Sequence, residues 1–341
     1  MLKIEPTVTV SISTKDRYYT TLPMALMAVA NQTRRPKKIL VFDDGEQKDL
    51  RNDPTYQNIF TVLHLKNIDL QVIYGERKGQ VLNHHKAQIL SSTDWIWRID
   101  DDDVPEPNVL ERLMKLIQPD IGAVGGLVWT PSHPVIPFSS CSGKIEDIST
   151  KGNVQWSKFD RVIEVDHLHN TFLYRKGIAE YNLVLSPVGH REETLFTYEI
   201  KRKGYKLLVE PNALTWHLRD PSGGIRSYND SKLWDHDEDI FRRELRKYDI
   251  LNDSKLIVLD NGIGDHFAFK HVLPELKKIH KKITLALCTP EIFKDEKDLN
   301  IISIAEAQLI DPSQDRYNVY KWMWDRNWKG KLYQAFLEMY K

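Results

Sequence analysis

The chain has 341 residues, more than one hydrophobic core usually serves, so its length favours two domains. Hydrophobic residues make up 41% and charged residues 28% of it, an ordinary balance for a globular protein that excludes intrinsic disorder. Lysine plus arginine and aspartate plus glutamate both number 48, and a net charge of zero gives no whole-molecule attraction to nucleic acid or to a membrane surface.

Short apolar runs separated by helix-length segments characterise the first hundred residues. Strands are predicted at 8–13, 38–42, 70–74 and 95–99. A helix is predicted over about 20–30, with Pro23 in its first turn. Strands that alternate with helices indicate βαβ units and a mostly parallel sheet, in which ligands bind beyond the carboxyl ends of the strands.

The pattern becomes mixed beyond residue 120. Strands are predicted at 122–129 and 206–210, a polar loop at 131–156, a helix at 192–203 that ends at Gly204, and a charged helix at about 237–248. The three acids at the head of that last helix suit a helix N-terminus.

The alternation of strands and helices starts again near residue 251. Strands at 255–260 and 283–288 flank a tight turn and a helix at 266–280, and a further helix is predicted over 317–340. With the boundary at about 248–254, the chain divides into a domain of residues 1–248 and a smaller α/β domain of residues 254–341.

Four consecutive aspartates, Asp100 to Asp103, follow the strand at 95–99. Like charges in a row repel each other, and a bound divalent cation would offset that repulsion, since Mg²⁺ and Mn²⁺ take oxygen ligands and share their coordination sphere with phosphates. The alternative is a solvated loop in which Asp103 caps the turn before Pro105. The preceding strand and the downstream motifs favour the cation site.

Several ordered motifs in the first ~220 residues resemble the family 2 glycosyltransferases of the GT-A fold. Residues 14–17 (Thr-Lys-Asp-Arg) resemble the turn after the first strand of that family, and residues 30–33 resemble its Asn-Gln-Thr segment. Residues 43–45 (Asp-Asp-Gly) match the end of its second strand, with Glu46 in place of serine, and residues 100–103 match its Asp-x-Asp motif.

The resemblance implies a nucleotide-sugar-binding domain with a mostly parallel mixed sheet. Asp16 and Asp44 would hold the base and ribose, and Asp100 would contact the nucleotide-sugar; for Asp44 an Asp-Gly turn is the alternative. The full predicted set of donor-binding residues is Thr14, Asp16, Arg17, Asp44, Lys78, Asp100, Asp101, Arg219 and Arg226. The two last arginines flank a glycine pair and suit a diphosphate, although a solvated basic loop explains them equally well.

Catalytic and metal roles also follow from the resemblance. Glu192 and Glu193 stand where the family has an acidic pair at the head of a helix, and the second acid, Glu193, is predicted to be the general base. Glutamate replaces the usual aspartate, so Glu192 stays open as the base, and acid–dipole placement is the structural alternative. Asp102 and His217 are predicted to bind Mn²⁺ or Mg²⁺.

Trp156, His167 and His169 are candidates for the acceptor side of the site, but core positions are the preferred interpretation. The turn at 261–265 resembles the first phosphate-side loop of heptosyltransferase-like GT-B proteins over about 90 residues. That length is too short for a two-domain enzyme of that class, so an accessory or assembly domain is as plausible there as a second ligand site.

These features predict an inverting hexosyl- or pentosyltransferase. The donor would be a nucleotide-diphosphate-sugar, with UDP preferred, and the acceptor a hydroxyl group on a glycan or glycolipid. The alternatives are a nucleotidyltransferase of similar fold, disfavoured because no glycine-rich loop with a lysine follows the first strand, and a glycan- or nucleic-acid-binding protein with a degenerate site. Nucleic acid is not the expected partner, but a modified DNA base is kept as an acceptor variant.

The sequence also bears on the compartment. No apolar run approaches the roughly 20 residues that span a bilayer, and no signal-peptide core is present at the start. The two cysteines, Cys141 and Cys288, fall in different predicted domains, so we expect no disulfide framework and a cytoplasmic protein without a transmembrane segment. Transient contact with a membrane is left open.

Overall fold

The computed structural model describes residues 6–131, 138–139, 161–253, 255–310 and 317–341. The chain forms two compact units, Met1–Ile240 and Phe241–Lys341. This division falls inside a helix, whereas the sequence predicts the boundary at about 248–254, where that helix ends. The predicted loop over 131–156, with Cys141, lies largely outside the described residues.

In the described residues of the first unit, the strands form one mixed sheet. They are β1 (Val8–Thr14), β2 (Lys38–Asp43), β3 (Asp69–Tyr74), β4 (Trp95–Asp100), β5 (Asp103–Pro105), β6 (Ile121–Trp129), β7 (Phe138–Ser139), β8 (Ile163–Val165), β9 (Phe172–Arg175) and β10 (Lys206–His217). Their order is β3-β2-β1-β4-β9-β6-β10-β5, with β7 on β6 and β8 on β10. Strands β1 to β4 run parallel, as do β6 and β10, while β9 is antiparallel to both neighbours. The predicted α/β class with a mostly parallel mixed sheet is confirmed.

The helices of this part of the chain connect the strands. They are α1 (Leu22–Ala30), α2 (Pro54–Leu65), α3 (Gln80–Leu90), α4 (Val109–Lys115), α5 (Glu192–Arg202) and α6 (Ser231–Asp253), and short 3-10 turns occupy Leu50–Asn52 and Gly224–Ser227. The helix predicted at 237–248 therefore begins six residues earlier. Asp237 therefore lies inside α6 and not at its N-terminus as predicted, and its buried carboxylate accepts hydrogen bonds from the backbone of Ser186 at 2.6 Å and of His190 at 2.8 Å.

The apolar core of the first unit lies between the parallel strands and helices α1, α2 and α4. Val10, Ile12, Trp97 and Ile99 are fully buried in it. Each such side chain contributes roughly 1.5–3 kcal/mol through burial. The register sets Ser13 of β1 opposite the last residue of β4, so the core holds the polar ends of these strands at one edge of the sheet.

The second unit has its own parallel sheet, in the order β11 (Lys255–Leu259), β12 (Ile283–Leu287), β13 (Asn300–Ile302). Its helices are α7 (Ile263–Ile279), α8 (Ile304–Ile310), α9 (Val319–Asp325) and α10 (Leu332–Tyr340), with a 3-10 turn at Pro290–Phe293. The single helix predicted at 317–340 was wrong: Asn327 adopts a left-handed conformation with φ of 47°, which separates α9 from α10. Among the described residues, no helix has both the length and the apolar character needed to cross a bilayer.

Candidate active site

A cleft of about 320 Å³ opens where the polar ends of β1, β2 and β4 meet. This volume falls within the range of roughly 300–1,000 Å³ typical of small-molecule sites. Nine predicted site residues line it, namely Thr14, Arg17, Asp44, Asp100, Asp101, Asp102, Glu193, His217 and Arg219. Residues more than two hundred positions apart in the sequence therefore share one cavity.

Arg17 and Asp101 form the buried floor of the cleft. The Arg17 guanidinium contacts the Asp101 carboxylate, and its Nη1 lies 3.2 Å from Oδ1 of Asp102. Thr14 donates its hydroxyl to Asp101 at 2.7 Å. Burial raises the pKa of Asp101 to about 7, against the lowering effect of Arg17. Arg17 also donates to the carbonyl oxygens of Asp220 and Ser222, so it ties the 220–222 segment to the aspartate run.

Asp100 has the most exposed side chain of the four consecutive aspartates, and its exposure bears on ligand contact. Its side chain is 23% exposed, compared with 5% for Asp101 and 3% for Asp102. Its two carboxylate oxygens accept from Arg98 Nη2 at 3.1 Å and from Asn170 Nδ2 at 3.0 Å. Its position suits contact with a bound sugar or ribose.

A group of three ligand-type side chains lies beside this run. Asp102, Asp103 and His217 each offer one ligand atom, and these atoms lie within 4.8 Å of one another. The Nε2 atom of His217 is 3.5 Å from Oδ2 of Asp102. Two carboxylates and an imidazole are a donor set that suits Mn²⁺, and the carboxylates also suit Mg²⁺.

Asp103 gives an independent reason to consider a cation here. Its Oδ1 atom is buried and has no hydrogen-bond partner in the described part of the chain. Burial, together with the negative charges of Asp100 and Asp102, raises its pKa well above the usual range. A bound cation would relieve both the unsatisfied oxygen and the repulsion. Capping was the alternative role for Asp103 in the sequence analysis, and no ligand role was predicted for it, so the structure adds it to the predicted pair of Asp102 and His217.

Asp44 organises the turn that leads into α3. Its carboxylate accepts hydrogen bonds from the backbone N–H groups of Arg77 at 3.1 Å and Gly79 at 2.8 Å, and from Nδ2 of Asn83 at 3.1 Å. These three hydrogen bonds occupy the Asp44 carboxylate, which the resemblance had assigned to the base and ribose of the nucleotide-sugar. Asp44 still lines the cleft, and its contact with a donor stays a prediction.

Three predicted donor-binding residues lie elsewhere or are not described. Asp16 is exposed, has a φ of 59°, and accepts a hydrogen bond from the backbone of Glu46 at 2.8 Å. Lys78 is 67% exposed and pairs with Glu76 at 2.8 Å. Neither is among the residues that line the cleft. The side chain of Arg226 falls outside what the structure describes.

The two acids at the start of α5 differ sharply in environment. Glu192 is completely buried and contacts the guanidinium of Arg98, and burial raises its pKa to about 8 despite that arginine. Glu193 lines the cleft, and its Oε1 lies 2.7 Å from Nδ1 of His169. Burial alone would raise the pKa of Glu193, but His169 and Arg98 together lower it below its ordinary value. Of the two, Glu193 is the ionised acid that a substrate can reach.

A glycine-containing segment also lines the cleft. Arg219, exposed and with a φ of 53°, projects from its start. Gly223 and Gly224 have φ values of 60° and 55°, and Gly224 donates its N–H to the carbonyl of Lys15 at 2.8 Å. A Cβ added at Gly223 would lie 2.4 Å from that same carbonyl, so the close approach requires glycine. The segment is thereby fastened to the turn after β1.

Sequence reasoning missed Arg98 and Asn170 and undervalued His169. An arginine inside the apolar run of β4 was the available signal for Arg98, because a buried charge requires a partner. His169 lines the cleft, contrary to the preferred core position, whereas His167 is fully buried as expected. Trp156 lies outside the described residues.

The comparison with protein families gives one match. Residues 9–157 match the family model described as glycosyl transferase family 2. The match covers the aspartate run and the strands that carry it. The match supports the predicted enzyme class, a glycosyltransferase.

Two solved structures are similar to this chain. GalNAc-T7, crystallised with UDP, GalNAc and Mn²⁺, is 15% identical over 72% of this chain and 51% of its own, with a TM-score of 0.50. TarS of S. aureus is 14% identical over 96% of this chain and 49% of its own, with a TM-score of 0.46. The chain spans about half the length of each, and the first of them supports the predicted GT-A architecture. No curated protein is significantly similar in sequence.

Proposed function

We propose that the chain transfers a sugar from a nucleotide-diphosphate-sugar, with UDP as the preferred nucleotide, to a hydroxyl group, with inversion and with the help of Mn²⁺ or Mg²⁺. The observation that carries the proposal is the convergence of Asp100, the Asp102/Asp103/His217 group and Glu193 on one cleft. GalNAc-T7 was solved with UDP and Mn²⁺, which supports the same donor chemistry for this chain.

Charge balance in the cleft fits such a donor. Five basic and five acidic side chains line it, namely Lys15, Arg17, Arg98, Arg191 and Arg219 against Asp44, Asp100, Asp101, Asp102 and Glu193. A diphosphate ester with two negative charges and a divalent cation is also neutral as a pair. The pair therefore adds no net charge to this balanced set of side chains, while the carboxylates of Asp102 and Asp103 attract the cation and Arg219 attracts the phosphates.

Asp102 and His217, with Asp103 beside them, would hold the cation. When bound, the cation would offset the negative charge that develops on the leaving diphosphate. Arg219 is exposed at the cleft and suits the phosphate oxygens of the donor, because a guanidinium matches their geometry. The buried Arg17 holds Asp101 and Asp102 in place.

Glu193 would act as the general base. Its carboxylate takes the proton from the acceptor hydroxyl as that oxygen forms a bond to the anomeric carbon. The bond from that carbon to the diphosphate oxygen breaks on the opposite side, its electron pair stays on the nucleoside diphosphate, and the configuration inverts. Glu192 is fully buried, so it is the weaker candidate for the base.

The family match disfavours the nucleotidyltransferase alternative. A glycan or glycolipid acceptor, a hexosyl or pentosyl donor and a cytoplasmic location stay predictions from the sequence. The same holds for the role of the second unit, where the resemblance to a GT-B loop carries no function yet.

A thermal-shift screen tests the proposal. A UDP- or GDP-linked sugar with Mn²⁺ at about a hundred times its Kd should stabilise the protein by about 2.7 kcal/mol. Asp102→Ala should remove the metal-dependent part of this shift, while Asp120→Ala, which alters a surface pair with Lys206, should retain it.

A turnover measurement is the second part of this test. Glu193→Gln should keep the donor-induced shift and lose turnover by about 10²- to 10⁴-fold, as expected for a lost general base. Failure of every nucleotide-sugar to shift the melting temperature with either metal would contradict the proposal, and full turnover of Glu193→Gln would contradict the role of Glu193.

A further inference from the structure

Glu193 and His169 form a side-chain pair inside the cleft. Nδ1 of His169 lies 2.7 Å from Oε1 of Glu193, and both residues line the cavity. An ionised carboxylate only accepts hydrogen bonds, so the proton of this contact is on the imidazole nitrogen. Within the described part of the chain, His169 is the only residue in ion-pair contact with Glu193.

The backbone on either side of His169 is fastened. Leu168 donates its N–H to Oγ1 of Thr197 on α5 at 2.8 Å, and Thr171 donates its hydroxyl to the carbonyl of Arg98 on β4 at 2.8 Å. Thr197 in turn donates to the carbonyl of Glu193 at 2.7 Å. The segment before β9 and the first turn of α5 are therefore held together, which sets the distance between the two side chains.

Other charged and titratable groups near Glu193 pair with other side chains or have a lowered pKa. Arg98 contacts Glu192 and Asp100. Burial lowers the pKa of His84 and of His167, so both are neutral near pH 7, and it lowers the pKa of His190 as well. The contact with His169 is consequently the direct side-chain contact that orients the Glu193 carboxylate, in addition to a backbone hydrogen bond within residue 193 itself.

We propose that His169 is a positioning residue for the general base: its Nδ1–H holds one carboxylate oxygen of Glu193, so that the other oxygen faces the acceptor hydroxyl. The inference rests on the proposed function of Glu193. Glutamate has three side-chain torsions, and without a partner its carboxylate would sample several orientations, few of them within hydrogen-bond distance of the acceptor. His169 keeps its own proton throughout, because the acceptor proton goes to Glu193.

Two amide substitutions at His169 distinguish the effect of the Nδ1 hydrogen bond from the effect of side-chain volume. In His169→Asn the side-chain N–H₂ stands close to the position of Nδ1, and in His169→Gln it stands close to that of Nε2. Loss of a hydrogen bond to a charged group corresponds to about a 10- to 100-fold effect. We expect His169→Ala and His169→Gln to lower kcat by that factor with the donor KM nearly unchanged, and His169→Asn to recover most of it.

The pH profile adds a readout that a packing defect would not move. In His169→Ala the acid limb of kcat should shift to higher pH, because Glu193 loses the contact that lowers its pKa, while burial still raises it. Wild-type kcat and pH profile in His169→Ala would overturn the proposal. Equal impairment of the Asn and Gln variants, at unchanged melting temperature, would overturn orientation through Nδ1.

A titration that does not depend on turnover tests the pairing of His169 with Glu193 separately from the proposed catalytic function. The carboxyl ¹³C signal of Glu193, assigned by its absence in Glu193→Gln, should titrate below the ordinary range in the wild type and at least about one pH unit higher in His169→Ala. An unchanged titration would overturn the pairing itself. A shifted titration in a protein that binds and turns over no nucleotide-sugar would instead overturn the proposed function, and with it the catalytic role of the pair.

Discussion

Arg98→Met tests whether the buried arginine of β4 holds the first unit together. The Arg98 side chain is 1% exposed, and its guanidinium contacts Glu192 and lies 3.1 Å from Asp100. Methionine keeps much of the alkyl stem and removes the charge and the donors. The fully buried Glu192 then loses the cation with which it pairs.

The expected loss follows from the cost of breaking a buried pair, about 3–5 kcal/mol. Glu192 can limit that cost by remaining protonated, since burial already raises its pKa to about 8. We therefore expect the lower end, about 3 kcal/mol of unfolding free energy. For domains of 150–250 residues each kcal/mol lowers Tm by roughly 2–4 °C, so the transition of this unit should move down by roughly 6–12 °C.

Chemical and thermal denaturation at pH 7 would measure the loss, followed by a double-mutant cycle. The double variant Arg98→Met/Glu192→Met replaces the pair by apolar side chains and should recover most of the stability. Arg51→Met is the matched control, because Arg51 is 82% exposed and its pair with Asp49 should contribute nothing measurable. A wild-type transition in Arg98→Met, or a double variant no more stable than the single one, would refute the reasoning.

Two further predictions concern backbone and pH. Gly79→Ala should cost about 3 kcal/mol or more, because φ is 89° and the new Cβ would lie 2.1 Å from the carbonyl oxygen of Pro187. Gly177→Ala, with φ of 77° and open space around it, should cost only about 1 kcal/mol in the same denaturation assay, and equal losses would contradict the steric argument. Burial raises the pKa of Glu192 from 4.5 to about 8, so folding takes up a proton between these values and stability falls as pH rises through that window. Glu192→Gln lacks this titration, so the stability of the wild type relative to it should decrease from pH 5 to pH 8, and a constant difference would argue against the raised pKa.

The edge of the sheet that carries the site was predictable from the sequence. The apolar runs that became β1, β2 and β4 end in polar residues, and parallel strands bring their ends to one edge. The short strands β5, β8 and β9 were not predictable, because three or four residues show no periodicity. Strand β9 nevertheless sits between β4 and β6, and the segment before it supplies part of the cleft.

The different roles of the four aspartates could not be read from the sequence. Arg17 contacts both Asp101 and Asp102, whereas Thr14 donates its hydroxyl to Asp101, and both partners are more than eighty residues away along the chain. Asp103 joins the candidate cation group because β5 pairs with β10, opposite His217. Alternation along a strand predicts which side chains share a face, but it does not predict which distant partner each one meets.

The donor side and the base side of the cleft are joined through the residues that the sequence did not reveal. Asn170 lies 3.0 Å from a carboxylate oxygen of Asp100 and 3.4 Å from Nδ1 of His217, and its neighbour His169 holds Glu193. Arg98 makes a second connection, from Asp100 to the first turn of α5. Substitution of Asn170 or Arg98 should therefore disturb donor binding and turnover together, whereas substitution of His169 should act mainly on turnover, through its pair with Glu193.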